Sequence, residues 1–345
     1  MIWQTVRLSL HAAAIMVAML GYAHAAQLIV DAKGRQDASA GLFNKVQDAL
    51  QAAQPGDVIE VRPGTYREEI RTVRSGLPGK PITIQGQPGA QLVAKNTYDG
   101  RLFSIYHNYI NVSGLKMSQA AILMYVFGGS YNEIKGNEFV DAGGECVRVK
   151  YFARNNLVEN NTISNCGNRG FNPANKKKNG EGIYIGTAPE QLQRNPEVKV
   201  PANSPIGKPT SEPDRSTANI VRGNTIHTPA ECVDIKESSY GNLVIGNNCS
   251  GNRDPDSAGF SARGDSNRFE NNRLSGEIAG AGIRLGGDEE NQGVNNVVVG
   301  NVFMNTVGFA VKDVREPQGA VCGNKIGNNE AGISRSGVDP TSGCN

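Results

Sequence analysis

Charged residues recur at fixed positions of a short block that repeats from residue 145 onward. The block begins with glutamate in Glu145–Lys150, Glu181–Gly186 and Glu231–Lys236, and it alternates apolar with polar residues. Further copies, without the glutamate, are Ala258–Arg263, Ala281–Gly286 and Val307–Lys312. A period of two is typical of a β-strand, so the polar residues of each copy would share one face. Carboxylates, lysines and arginines gathered on that face could perform acid–base chemistry or hold a metal ion.

Stacked copies of this block would order the polar residues into columns. One column reads Arg148, Tyr184, Asp234, Ser261, Arg284 and Ala310, and the next reads Lys150, Gly186, Lys236, Arg263, Gly286 and Lys312. A third column, at the bend before each strand, reads Glu145, Glu181 and Glu231, followed by Ala258 and Ala281. Five steps of about 4.8 Å would give a strip of roughly 24 Å, long enough for several sugar units.

Such a strip suits an acidic polysaccharide. Elimination across C4–C5 of a uronate needs a neutralised carboxylate, a base for the C5 proton and a donor for the leaving oxygen. Glu181, Glu231 and Asp234 offer oxygen ligands for Ca²⁺, which is the candidate metal. A lysine desolvated near other cations has a lowered pKa and can act as the base, and Lys236 lies one coil from Arg263 in the same column. The candidate substrate contacts are Arg148, Lys150, Tyr184 and Lys312. The columns contain no histidine, so a histidine-based hydrolytic site is not supported.

A second repeat, rich in asparagine, alternates with the first and indicates how the columns are built. It reads N-x-apolar-x-x-N and occurs at residues 132–137, 156–161, 219–224, 242–247, 267–272 and 296–301. Two alternating strand blocks per repeat predict a single-domain, all-β, right-handed parallel β-helix in which stacked coils bury one continuous apolar column. One inward column would be Val147, Ile183, Val233, Phe260, Ile283 and Phe309. The asparagines can adopt left-handed backbone at the bends and can form ladders of side-chain amides.

The composition agrees with this fold class. Among 345 residues there are 42 glycines and 35 asparagines, two residue types that helix interiors and ordinary strands both disfavour. A helical bundle or a doubly wound α/β enzyme is therefore excluded. Apolar residues make up 38% and charged residues 20%, which argues against disorder. The net charge of +2 provides no global basic field, so we expect no nucleic-acid partner.

Three segments fall outside the repeats. A basic start, an apolar run over residues 8–20 and Ala23-His24-Ala25 predict a signal peptide over residues 1–25, cleaved after Ala25, and hence a secreted or periplasmic protein. The remaining chain, 26–345, would form the β-helix domain, soluble, without a membrane span and monomeric. An amphipathic pattern over about 42–53 predicts a helix that caps the open first coil. A long insertion over about 187–216 would form a loop on the binding face.

The six cysteines are compatible with export. Cys322 and Cys344 are predicted to form a disulfide that fastens the last coil. Cys146 and Cys232 occupy equivalent positions two coils apart, roughly 10 Å, which is beyond disulfide reach. We therefore expect these two residues to be small buried or bend residues.

The segment Pro55–Tyr66, followed by Gly79–Ile84, resembles the entry of the chondroitinase-B-like and alginate lyases, which belong to the pectate-lyase-like superfamily of right-handed parallel β-helices. A more specific similarity covers Glu231–Ser239, Ala262-Arg263 and Gly282–Gly286. The resemblance implies that Glu231 helps to hold calcium, that Lys236 is the base, that Arg263 assists as the acid and that Arg284 binds substrate.

The leading hypothesis is therefore a secreted polysaccharide lyase that cleaves a uronate polymer by β-elimination. Three alternatives remain open at this stage: a glycoside hydrolase using Glu181, Glu231 and Asp234 as its carboxylates, a C5-epimerase, and a carbohydrate-binding protein without catalytic activity. An unsaturated, ultraviolet-absorbing product would distinguish elimination from hydrolysis. The polymer and the choice between internal and terminal cleavage are not indicated by the sequence.

Overall fold

Thirty-one short strands assemble into three parallel sheets that run the length of the molecule. The structure is a computed structural model, and it describes residues 25–276, 278–328, 332–335 and 337–344. Among the described residues, nine coils contribute one strand to each sheet. The first sheet begins with two further strands, and the last coil adds one strand to each of the first two sheets. Neighbouring coils are joined by parallel pairing of their equivalent strands. The prediction of an all-β parallel β-helix is confirmed.

The bounds of the strands are as follows, in order along each sheet. The first sheet contains Leu42–Phe43, Gln27–Val30, Val58–Val61, Ile82–Gly86, Ile110–Ser113, Glu133–Lys135, Leu157–Glu159, Ile220–Arg222, Leu243–Ile245, Arg268–Glu270, Val297–Val299 and Val321–Cys322. The second contains Gly64–Arg67, Ala90–Val93, Lys116–Ser118, Glu138–Val140, Thr162–Ser164, Thr225–His227, Asn248–Ser250, Arg273–Leu274, Val302–Met304 and Lys325–Gly327. The third contains Ile70–Arg71, Asp99–Ile105, Ala120–Phe127, Val147–Lys150, Ile183–Ile185, Val233–Ile235, Ala258–Ala262, Ala281–Leu285 and Val311–Asp313.

The apolar residues of the strands point inward and fill the solenoid. In the third sheet Val147, Ile183, Val233, Phe260 and Ile283 pair in sequence and are fully buried, as the alternation predicts. The prediction is wrong for the last coil, where Val311 and not Phe309 pairs with Ile283. Both residues are apolar, so the repeat alignment could not distinguish the two registers. This slip of two residues places Lys312 beside Arg284 and buries Ala310.

Two asparagine ladders hold successive coils at a constant step. In one ladder the Asn161 Nδ2 donates to Asn224 Oδ1 at 2.9 Å, and Asn224 Nδ2 donates to Asn247 Oδ1 at 2.9 Å. The ladder asparagines do not themselves adopt left-handed backbone, contrary to the expectation. The residue before each of them does, for example Asn160 with φ 53° and Gly223 with φ 64°. The side chain of the ladder residue is thereby free to turn inward and bond to its neighbours.

The first coil is covered by a short helix, Val46–Ala52, which buries Val46, Ala49 and Leu50. It is shorter than the predicted segment of about 42–53, because Leu42–Phe43 pairs as a strand with Ile29 and Val30. Glu68 accepts hydrogen bonds from the backbone N–H groups of Val46 and Gln47 at the start of the helix. A carboxylate there satisfies helix N–H groups that have no partner within the helix. Short 3₁₀ helices occur at Ala38–Ala40, Pro173–Asn175 and Pro189–Glu197.

The insertion leaves the solenoid after Ile183–Ile185 and returns before Ile220–Arg222. Its two ends are joined by a hydrogen bond of 2.6 Å from Thr187 Oγ1 to Asp214 Oδ2. Asp214 also accepts the backbone N–H groups of Tyr151 and Phe152, at 2.5 and 2.8 Å. The neck of the insertion is therefore closed and fixed to the third sheet.

Three disulfides link neighbouring coils. Cys322–Cys344 is confirmed at the end of the chain. Cys146 and Cys232 are buried and are not bonded to each other, as expected, but each forms a disulfide that was not predicted: Cys146 bonds to Cys166 and Cys232 bonds to Cys249. Each of these two bonds joins the start of a third-sheet strand to the coil that follows, and the partner lies in or just after a second-sheet strand. Cys166 and Cys249 do not occupy repeat positions equivalent to those of Cys146 and Cys232, so the alignment of repeats does not indicate these pairs.

Within the described ranges, no helix is long and apolar enough to cross a membrane. The predicted signal peptide falls on residues 1–25, of which 1–24 lie outside the described part of the chain.

Candidate active site

The outward column of the third sheet brings together residues that are far apart in sequence. Arg148 pairs with Tyr184, Tyr184 with Asp234, Asp234 with Ser261, and Ser261 with Arg284. This order is the one that the alternation predicts. Gly186 has φ 93°, and its position beside Lys236 leaves no room for a side chain, since a Cβ would lie 2.2 Å from Ser239 Oγ. The absence of a side chain there lets the turn that follows Lys236 pack closely against the preceding coil.

Three carboxylates converge at one point of this column. Glu181, Glu231 and Asp234 each present an oxygen atom within 4.8 Å of the others, and all three residues are buried. Glu181 accepts a hydrogen bond of 2.8 Å from the Gly180 N–H, and Glu231 accepts one from the Ser257 hydroxyl. Neither oxygen of Asp234 accepts a hydrogen bond of good geometry. The charge partners of Asp234 are Lys236, whose Nζ lies 2.5 Å from Oδ2, and Arg263, 3.6 Å from Oδ1. Three buried carboxylates at one point still form an arrangement that a further cation would stabilise.

The protonation of these carboxyl groups reflects a shortage of positive charge. Burial, followed by the nearby Glu145, raises the pKa of Glu181 to about 8. Burial, followed by Asp234, also raises the pKa of Glu231. Burial opposes ionisation of Asp234 as well, but Lys236 and Arg263 outweigh it and lower its pKa. The three side chains offer oxygen atoms only, which is the ligand type that Ca²⁺ takes.

Lys236 lies at the centre of the cluster, with its Nζ 2.5 Å from Asp234 Oδ2 and 4.7 Å from the centroid of the Tyr184 ring. Burial disfavours its charged form, but Asp234 and Tyr184 more than compensate and raise the pKa of Lys236. The expectation of a lysine whose pKa is lowered is therefore wrong for this arrangement. Asp234 precedes Lys236 by two residues on the same strand face, so the alternation already implied this ion pair.

Arg263 and Arg284 extend the cluster toward the C-terminal coils. Arg263 lies 3.6 Å from Asp234, 3.9 Å from both Glu231 and Glu237, and 3.6 Å from Asp288. Arg284 lies 3.9 Å from Asp288, whose side chain is 86% exposed. The Nε atoms of both arginines are buried without a hydrogen-bond acceptor. The two guanidinium groups are therefore positioned by ion pairs, and both residues line the cavity, where an anionic ligand could bind them.

Tyr184 and Arg148 form the opposite end of the cluster. The guanidinium of Arg148 lies 4.5 Å from the centroid of the Tyr184 ring and 3.4 Å from Glu145. The hydroxyl oxygen of Tyr184 accepts a hydrogen bond of 3.3 Å from the Ala188 N–H. Burial raises the pKa of Tyr184, so its hydroxyl stays protonated and can donate a hydrogen bond.

A cavity of about 330 Å³ opens over the cluster. Six of the predicted site residues line it: Glu181, Tyr184, Glu231, Lys236, Arg263 and Arg284. Asp234 lies beneath this layer with 1% exposure. Arg148, Lys150 and Lys312 do not line the cavity, and their assignment to substrate binding stays a prediction.

The walls of the cavity come from loops, among them the insertion over about 187–216 that was predicted to lie on the binding face. Lys178 contributes from one loop and pairs with Asp254 at 2.9 Å and with Asp256 at 3.3 Å. The insertion contributes Glu190 and Gln191, and the loop after Ala281–Leu285 contributes Asp288. Loops do not repeat, so no periodic signal could have placed these residues beside the columns.

Comparison with known proteins relates the fold to enzymes that act on polysaccharides. No protein-family model and no curated protein sequence matches the chain. An alginate lyase from Paenibacillus sp. str. FPU-7 is similar in structure, with a TM-score of 0.68 and 22% identity over 84% of this chain and 94% of the lyase. The pectate lyase Pel9A gives a TM-score of 0.55 and 13% identity over 92% of this chain and 80% of that enzyme.

The same fold also carries other chemistry. The catalytic domain of a GH87 α-1,3-glucanase in complex with nigerose gives a TM-score of 0.54 and 12% identity, over 90% of this chain and 66% of that one. These similarities show the fold, and the reaction depends on the residues of the site. The resemblance found in the sequence is confirmed at this level: the chain has the parallel β-helix fold of the alginate and pectate lyases.

Proposed function

We propose that this protein is an exported polysaccharide lyase that cleaves a uronic-acid polymer by β-elimination. The observation that carries the proposal is the convergence of Lys236, Tyr184 and Arg263 above the carboxylates Glu181, Glu231 and Asp234. The fold shared with alginate and pectate lyases supports it. The three disulfides support export, because such bonds persist in oxidising compartments.

The elimination requires a positive charge at the uronate carboxylate. Arg263 and Arg284 line the cavity, and their guanidinium groups can bind that carboxylate. We propose that Glu181, Glu231 and Asp234 hold Ca²⁺. When bound, the ion would neutralise the substrate carboxylate and acidify the proton on C5.

We assign the proton abstraction to Lys236, as the resemblance implies. In the structure Lys236 is an ammonium group paired with Asp234. Burial and the neighbouring Arg263 favour the neutral form of Lys236 that a base requires, and the pair with Asp234 opposes it. The leaving O4 receives its proton from a neighbouring donor, for which Arg263 and the protonated Tyr184 hydroxyl are both placed.

Pectate, alginate, glucuronan and chondroitin or dermatan should be tested as substrates, with ultraviolet absorbance reporting the unsaturated product. Lys236→Ala and Lys236→Arg are compared with the wild type. Arg keeps the positive charge and the pair with Asp234 but stays protonated, so it separates the role of a base from that of a charge. We expect both variants to lose about 10²- to 10⁴-fold in kcat.

Activity retained by Lys236→Arg would contradict the assignment of the base. New reducing ends without absorbance would favour a hydrolase, for which the glucanase with the same fold is a precedent. The calcium site is tested separately, by calorimetric titration of chelator-treated protein with Ca²⁺. The Glu181→Gln variant should bind Ca²⁺ about tenfold more weakly than the wild type. If titration of the wild type with Ca²⁺ gives no heat of binding, the proposed site is refuted.

A further inference from the structure

The insertion ends the substrate groove on one side of the catalytic cluster. Glu190 and Gln191, from its 3₁₀ helix Pro189–Glu197, stand in the same cavity wall as Tyr184. Gln191 accepts a hydrogen bond from the guanidinium of Arg148, and the Ala188 N–H donates to the Tyr184 hydroxyl. The insertion therefore closes over the column at the coil of Tyr184, directly beside the reacting groups.

Beyond this wall the outward face of the third sheet is covered. Tyr106, Tyr125, Phe127 and Tyr151 form an apolar cluster, and Val198, Val200 and Ile206 of the insertion pack against it. Tyr125 precedes Arg148 in the outward column, and it is 1% exposed. Lys150, in the neighbouring column, is 5% exposed. The outward face is thus closed at Lys150 and Tyr125, on the two coils directly N-terminal to that of Tyr184.

The cover is anchored at points along its length. Ser204 Oγ donates to the Tyr106 carbonyl at 2.7 Å, and Asn203 donates to the carbonyl of Val73. Ile206 lies so close to Gly128 that a Cβ there would approach its side chain to 2.5 Å. Together with the Thr187–Asp214 bond at the neck, these contacts make the insertion a packed wall with fixed ends.

The opposite side of the cluster is more open. The cavity continues past Arg263 to Arg284 and to Asp288, whose side chain is 86% exposed. Lys312, the next residue of the outward column, is partly exposed. From the coil of Tyr184 to that of Arg284 there are three coil steps, which amount to about 14 Å. The strip is therefore shorter than the roughly 24 Å expected from the columns, and it is blind at one end.

The geometry points to a chain-end enzyme: the groove accepts one terminus of the uronate polymer against the wall formed by residues 187–216, and elimination releases a short product of constant length. This inference rests on the proposed function and specifies its cleavage mode. An internal stretch of a long polymer that follows the column would meet the wall at Gln191 one coil before Lys236.

The test follows the length distribution of products from whichever uronate polymer the wild type degrades. Size-exclusion chromatography and viscosity are read at equal ultraviolet absorbance. Terminal cleavage predicts one short product from the earliest time point and little loss of viscosity. A ladder of intermediate oligosaccharides with a rapid fall in viscosity would overturn the inference while leaving the lyase function intact. No absorbance with any polymer would overturn both.

A variant that lacks most of the insertion tests the wall directly. Because Thr187 and Asp214 already touch, residues 189–212 can be replaced by a short glycine linker without moving the two ends apart. The shortened protein, with circular dichroism confirming the β-fold, should produce intermediate oligosaccharides. A folded, active variant that still releases only the short product would show that the wall does not set the cleavage mode.

Discussion

Lys150 provides a quantitative test, because the structure places an amine under the insertion instead of in the cavity. Burial, followed by repulsion from Arg148, lowers the pKa of Lys150 from its ordinary 10.5 to about 7. The other charged groups that face it are Asp214, which favours the ammonium form, Arg101, which disfavours it, and Glu145, which favours it. Between pH 7 and 10.5 the unfolded chain holds a proton at this residue that the folded protein has released. The free energy of unfolding therefore rises with pH across this window. Below pH 7 Lys150 is protonated in both states, and the folded protein carries the full cost of the buried charge.

The magnitude follows from the two pKa values. The full difference corresponds to about 5 kcal/mol, and each pH unit within the window to about 1.4 kcal/mol. Lys150→Met removes the titrating amine and keeps an unbranched side chain. We expect Lys150→Met to be more stable than the wild type at pH 7, by a margin that is about 2 to 3 kcal/mol larger than at pH 9.

The assay is chemical denaturation of wild type and variant at pH 6, 7, 8 and 9. Lys208→Met removes an exposed lysine of the same insertion and controls for the loss of one positive charge. A difference between wild type and Lys150→Met that is constant across these pH values would refute the reasoning. The same variant also tests the earlier assignment of Lys150 to substrate binding, since a residue that contacts substrate would raise KM when it is replaced.

Three further predictions concern the ladder, a disulfide and the groove. Asn224→Leu removes hydrogen bonds with Asn161, Asn247 and the Val158 carbonyl, and should lower the free energy of unfolding by about 3 to 5 kcal/mol; a loss under 1 kcal/mol in urea denaturation would contradict the energetic role of the ladder. Replacing both members of the Cys232–Cys249 bond by serine should cost about 3 kcal/mol, and an unchanged midpoint under oxidising conditions would disprove it. Arg284→Ala should raise KM about tenfold with a smaller effect on kcat, measured by the absorbance assay; an effect confined to kcat would reassign Arg284 to the chemical step.

The column order could be predicted from the sequence because it depends on a period of two and on repeated blocks. Alternation within Val233–Ile235 sets Asp234 outward, and stacking then places it between Tyr184 and Ser261. The same reasoning failed at the last coil, since Phe309 and Val311 satisfy the inward position equally well. Register is strongly specified only where a single alternation buries the apolar residues.

The electrostatics of the site could be predicted less well than its geometry. A desolvated lysine near cations was expected at residue 236, but the nearest charge is the carboxylate of Asp234 at 2.5 Å, and it reverses the direction of the pKa change. For the walls, the sequence indicated that the insertion over about 187–216 lies on the binding face, but not which loop residues reach the cavity. Residues such as Gln191 and Lys178 reach the cavity through loops whose course depends on tertiary packing.

The asparagine ladders make the spacing between successive coils independent of the number of residues in each coil. Successive ladder partners are bonded at nearly equal distances although they lie 23 residues apart at Asn224 and Asn247 and 63 apart at Asn161 and Asn224. A loop can consequently lengthen or shorten between two rungs while the rungs stay in place. Variation in the loops around the cavity would then change which ligands the β-helix accepts without changing its stability. Transfer of the 187–216 loop to another β-helix with equivalent ladder positions is therefore a rational way to close its groove at a chosen coil.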